Sequence, residues 1–371
     1  MSHSACAFTM KILHFCQMMH SLGHEVYHYG VEGSEVQDCT AEDITIMAKA
    51  EQEGFFGKYN PGALYEVDWT GRAPYWAMIN DRAAAAINER KKPGDFVCVI
   101  MGTLNKPLAD QVGNDVTVVE YGIGYNGTFA RFRVFESYAH MHKIWGAQGG
   151  YDPDGRLFDA VIPNYLNPED YPFQAKKGDY YLYLGRLIKR KGIHIAVETC
   201  KRLGARLVIA GQGCVKVEGN RIYCSDGEVY EGDNLEYVGF ATGEKRARLY
   251  QNAKGVFVPT TYIEPFGAVA IEAQMAGTPA ITTDFGAFSE TVEHGKTGYR
   301  CHTLDHFVWA AQHVHEIDPW YTHQRAVANY SMERVRYRYQ EYFEMLTDLW
   351  ADGWYAAHPD RKDMNWLRMY P

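Results

Sequence analysis

The chain has 371 residues, of which 46% are hydrophobic and 22% are charged, and its formal net charge is −9. This length exceeds what one hydrophobic core usually serves, so it predicts two domains. The negative balance argues against non-specific nucleic-acid binding, because affinity for a phosphate backbone needs clustered Lys and Arg. No CxxC pair occurs among the eight cysteines and no HExxH among the histidines, so we expect neither a disulfide framework nor a zinc site.

The first half of the chain alternates short apolar runs with helical patterns, which is typical of a parallel α/β sheet. The predicted strands lie at 24–29, 95–101, 116–121 and 158–162, and the predicted helices at 8–22, 80–92 and 132–146. A domain of this type normally opens with a strand and a glycine-rich turn, whereas this chain opens with a predicted helix. We therefore expect the first strand of the N-terminal domain to be missing or shortened.

The alternation is interrupted at 161–179, where three prolines and a charged patch have the composition of a linker. It then resumes, with strands predicted at 180–185, 205–210, 235–238, 255–259 and 279–283, and helices near 191–203, 242–252 and 265–276. From 331 a long amphipathic pattern predicts a helix. We predict two doubly wound, Rossmann-like domains at 1–163 and 179–330, a linker at 164–178, and a helical extension at 331–371 that crosses back and braces the N-terminal domain.

Two glutamates, Glu264 and Glu272, stand eight residues apart around a Pro-Phe-Gly triplet. Eight helical positions turn through roughly 800°, which leaves the two about 80° apart, so a helix alone would not aim both at one target. Pro265 suits the first position of a helix and Gly277 the residue just past its end. We therefore place Glu264 in the loop before the helix, at the mouth of a site, and Glu272 two turns inside it, along the wall.

Ligands of open α/β sheets bind where the loops at the carboxyl ends of the strands converge. Arg186 and Lys191 follow the strand 180–185, and two cations beside a helix N-terminus suit a diphosphate; a solvated basic loop accounts for Lys189 and Arg190. Cations, helix-start amides and paired carboxylates in one cleft suit a ligand that is anionic at one end and polyhydroxylated at the other. A nucleotide-sugar has that form.

These segments resemble the C-terminal domain of retaining GT-B glycosyltransferases, specifically family 4 with its E-x7-E motif. The segments that match, in the order of that family, are 185–187, 191–192, 210–213, 238–240, 264–272 and 277–279. The segment 161–171 resembles the interdomain "iPNGvD" of the family, with Tyr165 in place of the usual glycine. Agreement covers residues 158–300 well and the N-terminal half only loosely. The resemblance implies the GT-B fold, in which two Rossmann-like doubly wound domains face a central cleft.

The resemblance also implies roles for individual residues. Arg186 and Lys191 would bind the donor diphosphate and stabilise the departing nucleoside diphosphate, and Glu264 would hydrogen-bond the donor sugar. Glu272 would hold the ribose hydroxyls. Neither a metal nor another cofactor is required, because the two cations supply the electrostatic stabilisation. The donor-binding residues that the resemblance implies are Gly185, Gly211, Gly213, Phe266, Gly267, Ala268 and Glu272.

The first domain would bind the acceptor, and here the sequence departs from the family. Many relatives carry a histidine after the strand that corresponds to 116–120, where this chain has Glu120 and Tyr121. Either side chain could orient an acceptor hydroxyl, and we count Glu120 among the candidate catalytic residues. A buried carboxylate bonded to loop amides is the alternative for Glu120. Gly122 and His142 are further candidates for the acceptor side, with a structural role as the alternative for His142 and for its neighbour His140.

Two other motifs suggest different chemistry. The segment 122–127 is a formal GxGxxG after a strand, which could indicate a dinucleotide-binding oxidoreductase. However, it does not lie in the first βαβ unit, and no acidic residue ends a strand about 20 residues later; a glycine-rich acceptor loop explains it as well. Asp152 and Asp154 form a D-x-D pair like that of metal-dependent transferases of another fold, but they lie in a Pro/Gly turn.

The resemblance therefore implies a metal-independent retaining glycosyltransferase, which we expect to be cytoplasmic. It would move a hexose from a nucleotide-diphosphate sugar to a carbohydrate, lipid-linked or small-molecule acceptor. The alternatives are a GT-B enzyme that isomerises the donor, as an epimerase does, and a non-catalytic nucleotide-sugar-binding protein. No apolar run approaches the roughly 18 residues of a membrane span. Peripheral membrane contact is possible through Arg131 and Arg133 with nearby aromatics, for which a solvated helix end is the alternative.

Overall fold

The structure is a computed structural model that describes residues 7–36, 39–58, 60, 68–123 and 127–349. The chain divides into two compact units. Of the described residues, the first unit contains those up to Lys58, those from Asp68 to Pro163 and those from Met332 to Leu349, and the second contains Asn60 and Asn164–Ser331. Both units are built on parallel sheets, as the alternating pattern of the sequence predicts.

The first unit contains two parallel sheets. Its elements are α1 (Ala7–Ser21), β1 (Tyr27–Val31), β2 (Glu42–Met47), α2 (Lys49–Phe56), α3 (Pro74–Asn88), β3 (Phe96–Val99), α4 (Lys106–Gln111), β4 (Thr117–Glu120), β5 (Phe132–Phe135), α5 (Tyr138–Gly149) and β6 (Asp159–Val161). Strands β1 and β2 pair with each other, and the other four form a sheet in the order β3-β4-β5-β6. Among the described residues, α1 precedes the first strand.

The predicted helix at 132–146 is wrong over its first residues. Residues 132–135 form β5, all four of them buried, and the helix α5 begins only at Tyr138. Ser137 is its N-cap and accepts a hydrogen bond from the His140 amide at 3.1 Å. The error arises from Arg133, whose charge suggests an exposed helical face. In the structure its guanidinium is fully buried in an ion pair with Asp159, so a charged residue occupies a buried strand.

The second unit contains the larger sheet. Its elements are β7 (Tyr181–Leu184), α6 (Ile193–Leu203), β8 (Leu207–Ala210), β9 (Cys214–Glu218), β10 (Arg221–Cys224), β11 (Val229–Glu231), β12 (Leu235–Tyr237), α7 (Gly243–Asn252), β13 (Gly255–Val258), α8 (Ala268–Met275), β14 (Ala280–Thr283), α9 (Phe288–Thr291), β15 (Gly298–Cys301), α10 (Leu304–His313) and α11 (Pro319–Tyr330). Each of the five strands predicted in this half is found. The strands β9, β10 and β11 form a separate antiparallel sheet that the sequence pattern did not predict.

The six parallel strands of this unit lie in the order β12-β8-β7-β13-β14-β15. Counted along the chain within this sheet, the order is 3-2-1-4-5-6, which is the doubly wound arrangement. The direction of winding reverses between β7 and β13. In such sheets the ligand crevice opens at the carboxyl ends of the two strands at this reversal. The loops that follow β7 and β13 are therefore the first place to look for a site.

The helix α12 (Met332–Leu349) belongs to the first unit. The Tyr339 hydroxyl donates to the Tyr121 carbonyl at 3.2 Å, and the Tyr342 hydroxyl donates to the Phe158 carbonyl at 2.7 Å. These two bonds tie the helix to the carboxyl end of β4 and to the start of β6. The predicted bracing of the N-terminal domain by this helix is confirmed. The rest of the predicted extension, 350–371, lies outside the described residues.

Candidate functional site

The loops after β7 and β13 are held against each other by their backbones. The Thr261 amide donates to the Arg190 carbonyl at 3.0 Å, and the Thr261 hydroxyl donates to the same oxygen at 3.3 Å. Gly192 has φ +78°, and a Cβ atom at this position would lie 1.9 Å from the Pro259 carbonyl oxygen. Only glycine can occupy that position without pushing the loops apart. The sequence therefore brings residues 186–192 and 259–264 together at the reversal point of the sheet.

An acid, a cation and a phenol meet between these two loops. Lys191 Nζ lies 2.9 Å from Glu264 Oε2, and the Tyr262 hydroxyl donates to the same oxygen at 2.6 Å. The Lys191 and Glu264 side chains are 23% and 13% exposed, so both are largely shielded yet reachable from solvent. The predicted proximity of Lys191 and Glu264 is present in the structure. Their roles toward a donor stay predictions.

Tyr262 also faces the positive charges of the loop after β7. The guanidinium carbon of Arg190 lies 4.3 Å from the centre of its ring, and Lys191 Nζ lies 4.9 Å from it, both within the range of cation–π attraction. Burial, the charge of Glu264 and the hydrogen bond to it raise the pKa of Tyr262, while Arg186 and Arg190 oppose the rise. The phenol is therefore protonated at neutral pH and acts as a hydrogen-bond donor.

The sequence analysis missed both Tyr262 and Arg190 as site residues. The signal that could have found Tyr262 is its place two residues before Glu264 on the loop after β13, where a phenol can donate to the neighbouring acid. Arg186 is exposed, and no described residue forms an ion pair with its guanidinium. Its charge, like that of Arg190, opposes the rise in the pKa of Tyr262.

The predicted glycines after β8 pack against the loop that carries Arg186. A Cβ atom on Gly211 would lie 1.8 Å from the Gly185 carbonyl oxygen, which requires glycine there. The Gly185 amide donates to the Ala210 carbonyl at 3.0 Å, and the Leu187 amide donates to the backbone carbonyl of Gln212 at 2.8 Å. Gly213 lies beside Leu187 in the same contact. These glycines thus shape the loop after β7, and their contact with a donor stays a prediction.

The helix α8 begins later than predicted. Its first residue is Ala268 rather than Pro265, because Gly267 has φ +77° and so cannot continue a right-handed helix. Phe266 is buried and its ring contacts Tyr330. The amide donors predicted at Phe266 and Gly267 therefore lie just before the helix rather than in its first turn, and their contact with a donor stays a prediction.

Glu272 lies inside α8 and faces α7. Its carboxylate is only 5% exposed, and its Oε2 accepts hydrogen bonds from the Tyr250 hydroxyl at 2.6 Å and from Arg246 Nε at 3.0 Å. Burial alone would lower the pKa of Arg246, but the charge of Glu272 raises it well above the ordinary value. Arg246 is therefore charged, and its contact with Glu272 joins α7 to α8. The ribose-binding role of Glu272 stays a prediction, and a ribose would have to share this oxygen or use the other one.

In the first unit, Glu120 ends β4 and is fully buried. Its Oε2 accepts hydrogen bonds from the amides of Phe129 (3.0 Å) and Ala130 (2.9 Å). Its Oε1 has no hydrogen-bond partner among the described residues. Burial raises the pKa of Glu120, which opposes the stabilising effect of the two amides. The bonding matches the alternative in which Glu120 is a buried carboxylate held by loop amides.

The other acceptor-side candidates differ in their exposure to solvent. Tyr121 is only 3% exposed, and the centre of its ring lies 4.2 Å from that of the stacked Phe15 ring. This burial does not support the expectation that its hydroxyl contacts an acceptor. Gly122 is also buried, whereas His142 lies on the exposed face of α5, 5.5 Å from the Trp145 ring. Residues 124–126 of the GxGxxG segment lie outside the described residues.

A buried charged cluster that the sequence did not predict lies at the carboxyl end of β5. Glu136 Oε1 contacts Lys11 Nζ at 2.8 Å, and Glu136 Oε2 contacts His140 Nδ1 at 2.8 Å. Burial would raise the pKa of Glu136, but Lys11 and His140 lower it to about 2. The cluster ties α1 to α5, which supports the structural alternative for His140.

Two further expectations concern metal and membrane. Asp152 and Asp154 lie exposed in a loop, and within the described ranges there is no group of three or more His, Cys, Asp or Glu placed to hold a metal ion. None of the helices in the described part of the chain combines the length and the apolar character needed to cross a membrane. Arg133 cannot contact lipid as expected, because its guanidinium is buried against Asp159. Arg131 is exposed beside the Phe132 and Phe158 rings.

Comparisons with known proteins bear on this arrangement. Residues 169–318 match the family model described as Glycosyl transferases group 1. The glycogen synthase of Mycobacterium tuberculosis is 32% identical over 161 residues, which are 39% of this chain and 36% of that protein. The glycogen synthase of Thermus caldophilus is 28% identical over 272 residues, 65% of this chain and 55% of that protein. The chain spans less than two thirds of the length of either relative.

Among solved structures, Anabaena HepE in complex with UDP and glucose aligns with a TM-score of 0.64 at 12% identity. The alignment covers 92% of this chain and 97% of that one. At this identity the likeness bears on the fold alone. Together with the parallel sheets of both units, it shows that the chain has the α/β GT-B fold with two Rossmann-like domains, as predicted.

Proposed function

We propose that this protein is a glycosyltransferase that takes a nucleotide-diphosphate sugar as its donor. The observation that carries the proposal is the meeting of Lys191, Tyr262 and Glu264 at the reversal point of the C-terminal sheet. Doubly wound sheets bind nucleotides at this point. The match of residues 169–318 to the group 1 glycosyltransferase model supports the same assignment.

In the proposed reaction, Lys191 and Arg186 bind the diphosphate, and a phosphate oxygen competes with Glu264 for the Lys191 ammonium. The bond between the anomeric carbon and the phosphate oxygen breaks, and the two cations stabilise the charge that develops on the leaving group. Glu264 accepts a hydrogen bond from a hydroxyl of the transferred sugar and so fixes its orientation. Fixed cations of this kind can replace a metal ion, so we propose that transfer is metal-independent.

The finer features of the proposal follow the resemblance to family 4. The acceptor hydroxyl would attack on the face that the diphosphate leaves, and the departing phosphate would take its proton, so the anomeric configuration is retained. In retaining glycosidases two carboxylates stand about 5 Å apart and one acts as nucleophile. We do not assign that role to Glu264, for which we propose only the orientation of the sugar. The glycogen synthase relatives favour a hexose donor and a carbohydrate acceptor.

A donor panel tests the proposal. UDP-glucose, GDP-glucose and ADP-glucose are each incubated with the protein, without and with a mixture of oligosaccharides, and release of the nucleoside diphosphate is measured. We expect one donor to be hydrolysed slowly alone and consumed faster with acceptor, at a rate that excess EDTA does not change. Isomerisation of the donor without release would favour an epimerase-like enzyme. Binding without any turnover would favour a nucleotide-sugar-binding protein, and either result would contradict transfer.

A further inference from the structure

Tyr262 contacts both charged partners of the proposed donor site. Its hydroxyl donates to Glu264 Oε2 at 2.6 Å, and its ring lies 4.9 Å from Lys191 Nζ and 4.3 Å from the Arg190 guanidinium carbon. The ring is partly buried, and the amide and hydroxyl of Thr261, the residue before it, both donate to the Arg190 carbonyl. The position of the phenol is thus set by the same loop contact that builds the site.

The two hydrogen bonds to Glu264 converge on the same oxygen. Lys191 Nζ and the Tyr262 hydroxyl both contact Oε2, which leaves Oε1 for a hydroxyl of the donor sugar. A diphosphate attracts an ammonium strongly and a neutral phenol weakly, so a bound donor would draw Lys191 toward the phosphates. Tyr262 would then keep the Glu264 carboxylate in place while Lys191 stabilises the charge on the leaving diphosphate.

The ring of Tyr262 has a separate effect. Two cations of one loop lie over it, and cation–π attraction does not need the hydroxyl. Removal of the hydroxyl alone should therefore affect Glu264 and the sugar, whereas removal of the whole ring should also release Arg190 and Lys191. Tyr262→Phe removes only the hydroxyl, and Tyr262→Leu removes the whole ring.

We propose that Tyr262 is a positioning residue for both ends of the donor, the sugar and the diphosphate. Its hydroxyl holds Glu264 on the sugar, and its ring holds the cations toward the diphosphate. The inference rests on the proposed function, because it assigns a second layer of contacts to the same site. It predicts that substitutions at Tyr262 can weaken the contacts to the sugar and the contacts to the diphosphate separately.

The test compares Y262F and Y262L with the wild type in two measurements. Steady-state kinetics with the donor selected from the panel give kcat and KM, and calorimetry gives the Kd of UDP, GDP or ADP, whichever is the product. We expect Y262F to lower kcat about 10-fold, since a lost hydrogen bond to a charged group has roughly this effect, with the Kd of the nucleoside diphosphate within about 2-fold. Y262L should lower kcat further and raise that Kd several-fold.

Tyr321 supplies a matched control. Its hydroxyl donates to Glu293 Oε2 at 2.7 Å, so Tyr321→Phe removes a tyrosine–glutamate hydrogen bond of nearly the same length in another segment of this unit. We expect Y321F to leave kcat and KM unchanged.

Melting temperatures of all variants separate unfolding from repositioning. Equal kcat in Y262F and wild type would overturn the inference while leaving the proposed function intact, and so would a loss that Y321F reproduces. A wild type that neither hydrolyses nor binds any member of the panel would overturn the proposed function, and this inference with it.

Discussion

Lys191 and Glu264 are separated by 73 positions in the chain and by 2.9 Å in the structure, where Lys191 Nζ contacts Glu264 Oε2. Each lies on a loop after one of the two strands that flank the reversal point of the sheet. The ion pair sets the charge of the proposed donor site, because it holds a cation for the diphosphate beside an acceptor for the sugar. Four predictions follow from this arrangement and from the packing within each unit.

Replacement of either member of the pair should abolish most of the transfer activity. We expect Lys191→Ala and Glu264→Ala each to lower kcat by about 10²-fold or more, because each removes a contact to the transition state. Nucleoside diphosphate release measures this directly. Lys189→Ala is the control, since Lys189 is an exposed lysine of the same loop that pairs with Glu228. Wild-type turnover in both site variants would remove the proposed mechanism.

The buried pair of Arg246 and Glu272 should contribute to stability. Arg246→Met leaves the Glu272 carboxylate buried without its cation, and we expect the free energy of unfolding to fall by about 3 kcal/mol. The double variant R246M/E272Q should lose less than the sum of the two single variants, because the residues are in contact. Urea denaturation measures all three. The exposed pair of Arg206 and Glu236 is the comparison, for which Arg206→Ala should cost less than about 1 kcal/mol.

Glu136 should make the stability depend on acid pH. Its pKa is lowered from 4.5 to about 2 in the folded protein, so the folded state binds this proton less readily than the unfolded state. The stabilisation is complete above pH 4.5 and is lost as the pH falls from 4.5 toward 2, by up to about 3 kcal/mol. Urea midpoints between pH 7 and pH 3 measure the loss.

We expect Glu136→Gln to be less stable than wild type at pH 7 and to have a shallower decline below pH 4.5. The exposed Glu333 provides the control, and Glu333→Gln should follow the wild-type curve. A variant E136Q whose stability declines as steeply as that of the wild type would assign the acid sensitivity to other carboxyl groups.

Gly192 should tolerate no side chain. We expect Gly192→Ala to separate the two site loops, because its Cβ would lie 1.9 Å from the Pro259 carbonyl oxygen. Gly204 also has a positive φ, +61°, but a Cβ there would meet nothing within 4 Å. Gly204→Ala therefore reports the backbone cost alone, which is about 1 kcal/mol. Melting temperature and donor turnover should fall much further in G192A than in G204A, and equal effects would refute the steric explanation.

The alternating pattern of strands and helices was sufficient to predict both α/β units, because a strand or helix depends mainly on periodicity within a few residues. The pattern failed where a charged residue occupies a buried strand. Arg133 lies in a buried strand because Asp159, 26 positions away, neutralises it, and no local pattern reports that partner. The antiparallel strands β9–β11 were missed for another reason: most residues of β9 and β11 are exposed, so these strands lack the apolar run of a buried strand.

For the site, the sequence by itself determined which residue types stand at the ends of β7 and β13, and hence that Lys191 and Glu264 are candidates. Only the tertiary structure decided which of them share a contact. It placed Tyr262 and Arg190 beside the pair, and it turned Glu272 toward Arg246 and Tyr250. The physical reason is that hydrogen bonds and ion pairs act over about 3 Å, and the sheet order brings together segments that lie tens of residues apart in the chain.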